Sequence, residues 1–313
     1  MRLRRILAGA VGGLVAVEAA NRVLAARSDP LPPALAGDQG TYRWRGFDVA
    51  YTEAGDPEDP DVVCLHGVHA AASTAEFDAI LDALAADHHV LAPDLPGFGC
   101  SDRPPVAYTS TLYESFLADF LADTADDPVV LGSSLAGGWA AAALGADGVD
   151  ASRLVLVCPT ADTGPLRPWV RRLFRSPVLG TGLFNALVSK PSLRAFDERD
   201  AFYRAANVPD ELLDHQWRTA HQPNARFAPA SFVSGYLDPT VNLGRELAAA
   251  DCPVTLVWGR EATITPLADG RVLADEADAR LVVVDDTRLL PHAEQPDAFL
   301  EAVRKDLPRL EAE

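Results

Sequence analysis

The chain of 313 residues is 48% hydrophobic and sets 45 acidic against 27 basic side chains, a formal charge of −18. That apolar content is enough for a sizeable buried core and excludes disorder as the starting reading. The acidic excess repels nucleic acid and leaves no broad cationic face for phosphates, so no nucleic-acid role is expected. Lys190 and Lys305 are the only lysines, and acidic residues are spread through the chain beyond the N-terminus. This composition predicts a halophilic surface, whose carboxylates keep a protein soluble where concentrated salt screens their mutual repulsion. Cys64, Cys100, Cys158 and Cys252 are scattered without a CxxC pair, and the seven histidines form no cluster with them. Reduced thiols and no structural metal are therefore expected.

At the N-terminus, Arg2, Arg4 and Arg5 precede an apolar Gly/Ala-rich run over 6–17 that Glu18 interrupts. The run is short for a membrane span. It suits a helix lying on a membrane or docked on the protein, and it fits an export signal less well. Residues 1–28 are expected as such a membrane-associated or docked helix, giving a cytoplasmic or membrane-associated protein rather than an exported one.

A polar linker then leads to two alternating strands within 42–51 around a turn at Gly46. Strand 61–65, helix 75–84 with Ser73 or Thr74 as its N-cap, strand 89–93 and helix 112–122 follow. Strand 128–131, helix 135–144 and strand 154–157 continue the rhythm. Buried strands alternating with helices imply an α/β fold with a mainly parallel, doubly wound sheet. The alternation stops near Thr160 and resumes with strand 254–258, helix 268–274, strand 280–284 and helix 297–307. The aromatic- and arginine-rich stretch between predicts a helical cap over 162–235, inserted between core segments 40–161 and 236–313. Within it, 167–175 is a basic aromatic patch that fits either a pocket roof or an anionic lipid surface.

The strongest motif is Gly132-Ser133-Ser134-Leu135-Ala136, which joins an apolar strand to a helix. A serine on such a strained strand-to-helix turn needs small neighbours, and it sits where backbone N–H groups can stabilise an oxyanion. Leu65-His66-Gly67-Val68 ends an earlier strand. His66 itself is expected to bond within its loop. Asp94-Leu95-Pro96-Gly97-Phe98-Gly99 contains a Gly-x-Gly, but no helix with a third glycine follows, so it is no dinucleotide fingerprint and no cofactor is expected.

In this order and spacing the His-Gly loop, the Asp-Leu-Pro-Gly-Phe-Gly loop and the elbow resemble the capped members of the α/β-hydrolase superfamily over about residues 42–310. That group includes esterases, lactonases, epoxide hydrolases and haloalkane dehalogenases. The resemblance implies the α/β-hydrolase fold, Ser134 at the nucleophile position, the Val68 and Leu135 N–H groups as oxyanion donors, and ester-like acyl transfer; serine argues against the chemistries that use a carboxylate nucleophile.

Two triad positions depart from that pattern. Relatives place the catalytic Asp three residues after Trp-Gly and four before Pro; in Trp258-Gly259-Arg260-Glu261-Ala262-Thr263-Ile264-Thr265-Pro266 this position is Ala262. They end in His-x-Pro-His, the first histidine being catalytic; here the segment is Leu289-Leu290-Pro291-His292, so the catalytic position is Leu289 and only the ancillary His292 remains. Without a base the Ser134 hydroxyl stays a weak nucleophile. The expectation is thus a weak or non-catalytic binder of a small apolar or ester-like molecule. The competing reading is an active serine hydrolase with relocated groups, Asp162 as acid and His292 as base, or a cap histidine, His215 or His221, as base. Oligomeric state stays open.

Overall fold

The computed structural model describes residues 2–27, 29–144 and 149–308, the first ten of them as backbone only. Eight strands form one sheet: β1 (Asp38–Trp44), β2 (Phe47–Ala54), β3 (Asp61–Leu65), β4 (His89–Pro93), β5 (Val129–Ser133), β6 (Arg153–Val157), β7 (Val254–Gly259) and β8 (Arg280–Val284). Their order is β1-β2-β4-β3-β5-β6-β7-β8. The β1–β2 hairpin joins antiparallel and every pair from β4–β3 onward is parallel. This mostly parallel sheet with flanking helices is the α/β-hydrolase fold.

Alternation along the strands divides the core into two layers. Val63, Leu65, Val130, Leu154 and Leu156 face the helices Ser110–Thr124 and Leu135–Leu144, packing on Phe116, Phe120, Trp139 and Ala140. Val62, Cys64, Val129, Leu131 and Val155 face the other way, onto Phe77, Ile80, Leu84, Phe299 and Val303. Strands covered on both faces explain why their sequences are almost continuously apolar.

Several expected elements shift at their ends. The helix expected over 75–84 opens as a 3-10 turn, Thr74–Phe77, before Asp78–Leu84; the Ser73 hydroxyl caps it by accepting from the Ala75 N–H. The helix expected from 112 starts at Ser110 because Thr109 accepts the Leu112 N–H. Between β6 and β7 the regular elements are helices, among them Pro168–Arg175, Leu179–Leu187, Lys190–Phe196, Asp210–Ala220 and Phe227–Phe232. A π-helical turn, Asp197–Ala201, extends the third of these. The Trp139 indole N–H donates to the Leu237 carbonyl at 2.8 Å and ties this insertion to the sheet.

The N-terminal helix, Arg2–Ala25, docks its last turns on the helix Leu179–Leu187. Val17 packs so closely on Gly182 that a Cβ there would sit 2.7 Å from it. The Asn21 side chain donates to the Val178 carbonyl and accepts from Asn185. The side chains of Arg2, Arg4 and Arg5 lie outside the described residues. Among the described residues, no helix is long and apolar enough to cross a membrane.

Candidate active site

β5 ends in a turn whose apex, Ser134, holds a left-handed backbone with φ of 52°. A non-glycine residue there stores strain, which the surrounding structure must impose. Two contacts do so. The Ser134 N–H donates to the Val157 carbonyl at the end of β6 (2.8 Å), and the Ser134 carbonyl accepts from Gly137 and Thr160. The small residues allow the close approach: a Cβ on Gly132 would stand 3.1 Å from the Gly137 Cα, and one on Gly138 would stand 2.6 Å from the Thr160 carbonyl oxygen.

The loop after β3 wraps the same point. The His66 Nε2 accepts from the Leu95 N–H at 3.0 Å, so its Nδ1 carries the proton and donates to the Gly67 carbonyl. His66 is thus a loop hydrogen-bonder, tying the β3 and β4 loops together. Asp94 completes the tie by accepting from the Thr74 and Cys100 N–H groups. Gly99, at φ of 48°, lies flat against that carboxylate, where any Cβ would collide with it. The Val68 and Leu135 N–H groups make no hydrogen bond among the described residues, so both remain available to an incoming oxygen.

Ser134 and Val68 line a cavity of about 360 Å³ together with Gly67, Glu76, Leu289 and residues of the helical insertion. Its volume suits a small organic molecule. The Ser134 hydroxyl makes no hydrogen bond to an imidazole or carboxylate among the described residues. Ala262, with Cys158 and Trp258, forms a buried apolar cluster, and Leu289 packs against it. Ala262 and Leu289, the two positions that depart from the family spacing, thus belong to one apolar contact region, and Leu289 also borders the cavity.

The relocated groups are not brought together. Asp162 is exposed, accepts from the Gly164 N–H in its own turn, and lies outside the Ser134 cavity. His292 is wholly buried, stacked on Phe77 with ring centroids 5.3 Å apart, and does not line the cavity. Of the cap histidines, His221 donates from Nδ1 to the Trp217 carbonyl of its own helix and stacks on the Trp217 ring. His215 does line the cavity, and burial pushes its imidazole toward the neutral form.

The partner of His292 is Glu76, which sequence reasoning missed. Its Oε1 lies 3.5 Å from His292 Nε2 and its Oε2 accepts the Gly67 N–H at 2.9 Å. Burial alone would raise this carboxyl, but the facing imidazole and the Gly67 N–H outweigh it and hold the group below its usual value. A charged carboxylate so placed is anchored directly behind the expected oxyanion loop. Asp197 and Gln216 were missed as well; they line the cavity from helical elements of the insertion. Among the described residues no cluster has the make-up of a metal site.

Residues 62–302 match the model of the alpha/beta hydrolase family. The chain belongs to this family. An uncharacterized hydrolase of Saccharomyces cerevisiae is 41% identical over 59 residues, a match that spans 19% of this chain and 20% of that relative. Among solved structures, a serine hydrolase of Cycloclasticus zankles is similar at a TM-score of 0.69 and 21% identity, covering 86% of this chain and 98% of that one. The 2-hydroxy-6-oxo-6-phenylhexa-2,4-dienoate hydrolase of Rhodococcus is similar at 0.68 and 21%, covering 86% and 99%. A membrane phospholipase A, described as a bacterial virulence factor, is similar at 0.65 and 21%, covering 96% of this chain and 97% of that one. At these identities the likeness is one of fold.

Proposed function

We propose that this α/β hydrolase is a weak or non-catalytic member of its family that binds an apolar or ester-like small molecule in the Ser134 cavity. The observation that carries the reading is the packing of Leu289, which borders the Ser134 cavity, against the apolar cluster of Ala262, Cys158 and Trp258. Loss of triad members leaves residual catalysis from binding and the oxyanion donors alone. A mainly apolar cavity with a few polar groups suits retention of a ligand. The test is a fluorophosphonate probe, which labels an activated serine. Labelling at the background rate, unchanged in Ser134→Ala, is expected; rapid labelling abolished by Ser134→Ala would overturn the reading.

One observation favours an active hydrolase instead: the strained backbone at Ser134 is retained beside two free N–H donors and the neutral imidazole of His215 in the same cavity. Rapid labelling that also required His215 would establish that second reading.

The proposed setting is a membrane surface. Leu179, Leu183 and Leu187 recur every four residues on the helix that carries the N-terminal segment, and all three are exposed, as are Leu14, Val15 and Trp169. Arg171 and Arg172 lie beside Trp169 in an otherwise acidic chain. Apolar side chains flanked by arginines suit anionic lipid. A solved structure named a membrane phospholipase A matches 96% of this chain, which accords with this setting. Co-sedimentation with anionic but not with zwitterionic vesicles is expected, and Leu183→Glu together with Leu187→Glu abolishes it.

A further inference from the structure

The Ser134 cavity is acidic without a basic counterpart. Glu76, Asp78, Asp197 and Glu211 line it, and no lysine or arginine does so among the described residues. Its two histidines add no positive charge at neutral pH: burial pushes His69 down to about 4, and burial likewise lowers His215. Glu76 accepts the Gly67 N–H with one oxygen, and its other oxygen faces His292 Nε2 at 3.5 Å without a hydrogen bond to it. Asp197 is different. It is 1% exposed and Gln216 is 5% exposed, the Gln216 amide donates to one Asp197 oxygen, and the second Asp197 oxygen and the Gln216 carbonyl oxygen are left without partners among the described residues. Arg194, the basic residue that acts on Asp197, is committed to Asp210 and Glu198 at the surface.

Two buried, unpartnered acceptors on one side of a cavity are costly unless a donor arrives. A neutral hydroxyl could satisfy one of them. Burial lifts the Asp197 carboxyl to about 7, and an ammonium, with three donors and a positive charge, favours its ionised form. Phe196 and Phe202 also line the cavity and add apolar surface for the hydrocarbon part of a ligand. A carboxylate ligand would meet only like charge.

We propose that the cavity takes a lipophilic amine, an apolar molecule whose protonated ammonium group is held by Asp197 and Gln216 while its hydrocarbon part runs toward Leu289 and Ser134. The proposal rests on the cavity being a ligand site. The location of Asp197 on a π-helical turn accords with a built site, since such turns recur at functional positions.

The test uses the full chain and three matched probes, n-octylamine, n-octanol and octanoate, titrated by isothermal calorimetry in the same buffer. Octylamine is expected to bind at least about tenfold more tightly than octanol, with octanoate the weakest. Asp197→Asn is expected to bring octylamine to the octanol level while leaving octanol unchanged, whereas Glu301→Gln, on the exposed surface, leaves the preference intact. Octanol binding as tightly as octylamine in the unaltered chain overturns the proposal without any variant. So does an amine preference that survives in a folded Asp197→Asn, because it would then be the general attraction of an acidic surface. If none of the three probes binds, the cavity is no site for molecules of this kind, and the binder reading falls with the proposal.

Discussion

His292 and Glu76 face one another across 3.5 Å in the interior, 216 positions apart in the chain, with the histidine wholly buried and the carboxylate nearly so. The pair fixes the segment after β8 to the loop after β3 through the Gly67 N–H. Removing one member of a buried pair leaves its partner uncompensated, so Glu76→Ala is expected to cost about 3–5 kcal/mol in a urea unfolding curve. Glu76→Gln costs less, because an amide oxygen still accepts from Gly67. The Glu76 carboxyl titrates below its usual value, so its contribution is present above the unfolded-state value and is lost as pH falls through the folded one. The acid limb of the stability profile should therefore be shallower in Glu76→Gln than in the unaltered chain.

The hydrocarbon contact at Leu289 gives a second expectation. Leu289→His alone places an imidazole beside Cys158, Trp258 and Ala262 with no acid, and Ala262→Asp alone buries a carboxylate without a base. Each single change is expected to destabilise by about 1–3 kcal/mol. The double variant, in which acid and imidazole can pair, should recover part of that loss in a double-mutant cycle and gain fluorophosphonate labelling that neither single variant has.

At the other end of β4 the expectation concerns alkaline pH. The His89 imidazole bonds Asp61 at 2.6 Å and Glu53 at 3.0 Å. Burial lowers its pKa, but the two carboxylates outweigh burial and the net shift is upward. The stabilisation is fully present below the unfolded-state value, about 6.5, and is lost as pH rises through the folded one. Melting temperature should fall across that interval in the unaltered chain, and the fall should be smaller in His89→Gln.

Much of the framework was legible because its signals are local. The strands at 89–93 and 280–284 and the helix at 135–144 lie where apolar runs and flanking turns put them. Ser110 was missed because the cap lies at Thr109, one residue before a stretch whose apolar period begins only at Leu112. The site was less legible, for a physical reason. A glutamate between Ala75 and Phe77 has the local look of an exposed residue near a helix start, and partners far from it in the chain or in another loop, His292 and the Gly67 N–H, make its burial tolerable. Asp197 offered no local signal either; its place in the cavity follows from a π-helical turn and from the packing of the helix that carries Gln216. The departure of Ala262 and Leu289 from the family spacing is readable in the sequence, but that Leu289 packs against the apolar cluster of Ala262 is a property of the fold.

The left-handed turn at Ser134 is demanded by architecture before chemistry: β5 and its following helix approach each other through Gly132 and Gly137, and some residue must occupy the apex between them. The turn is a joint of the scaffold as much as a mount for a nucleophile. In a fold built this way, turnover and recognition are separable inheritances: two side-chain replacements at a distance from the joint can remove the first, while the joint, the loop facing it and the chamber above persist as a receptor.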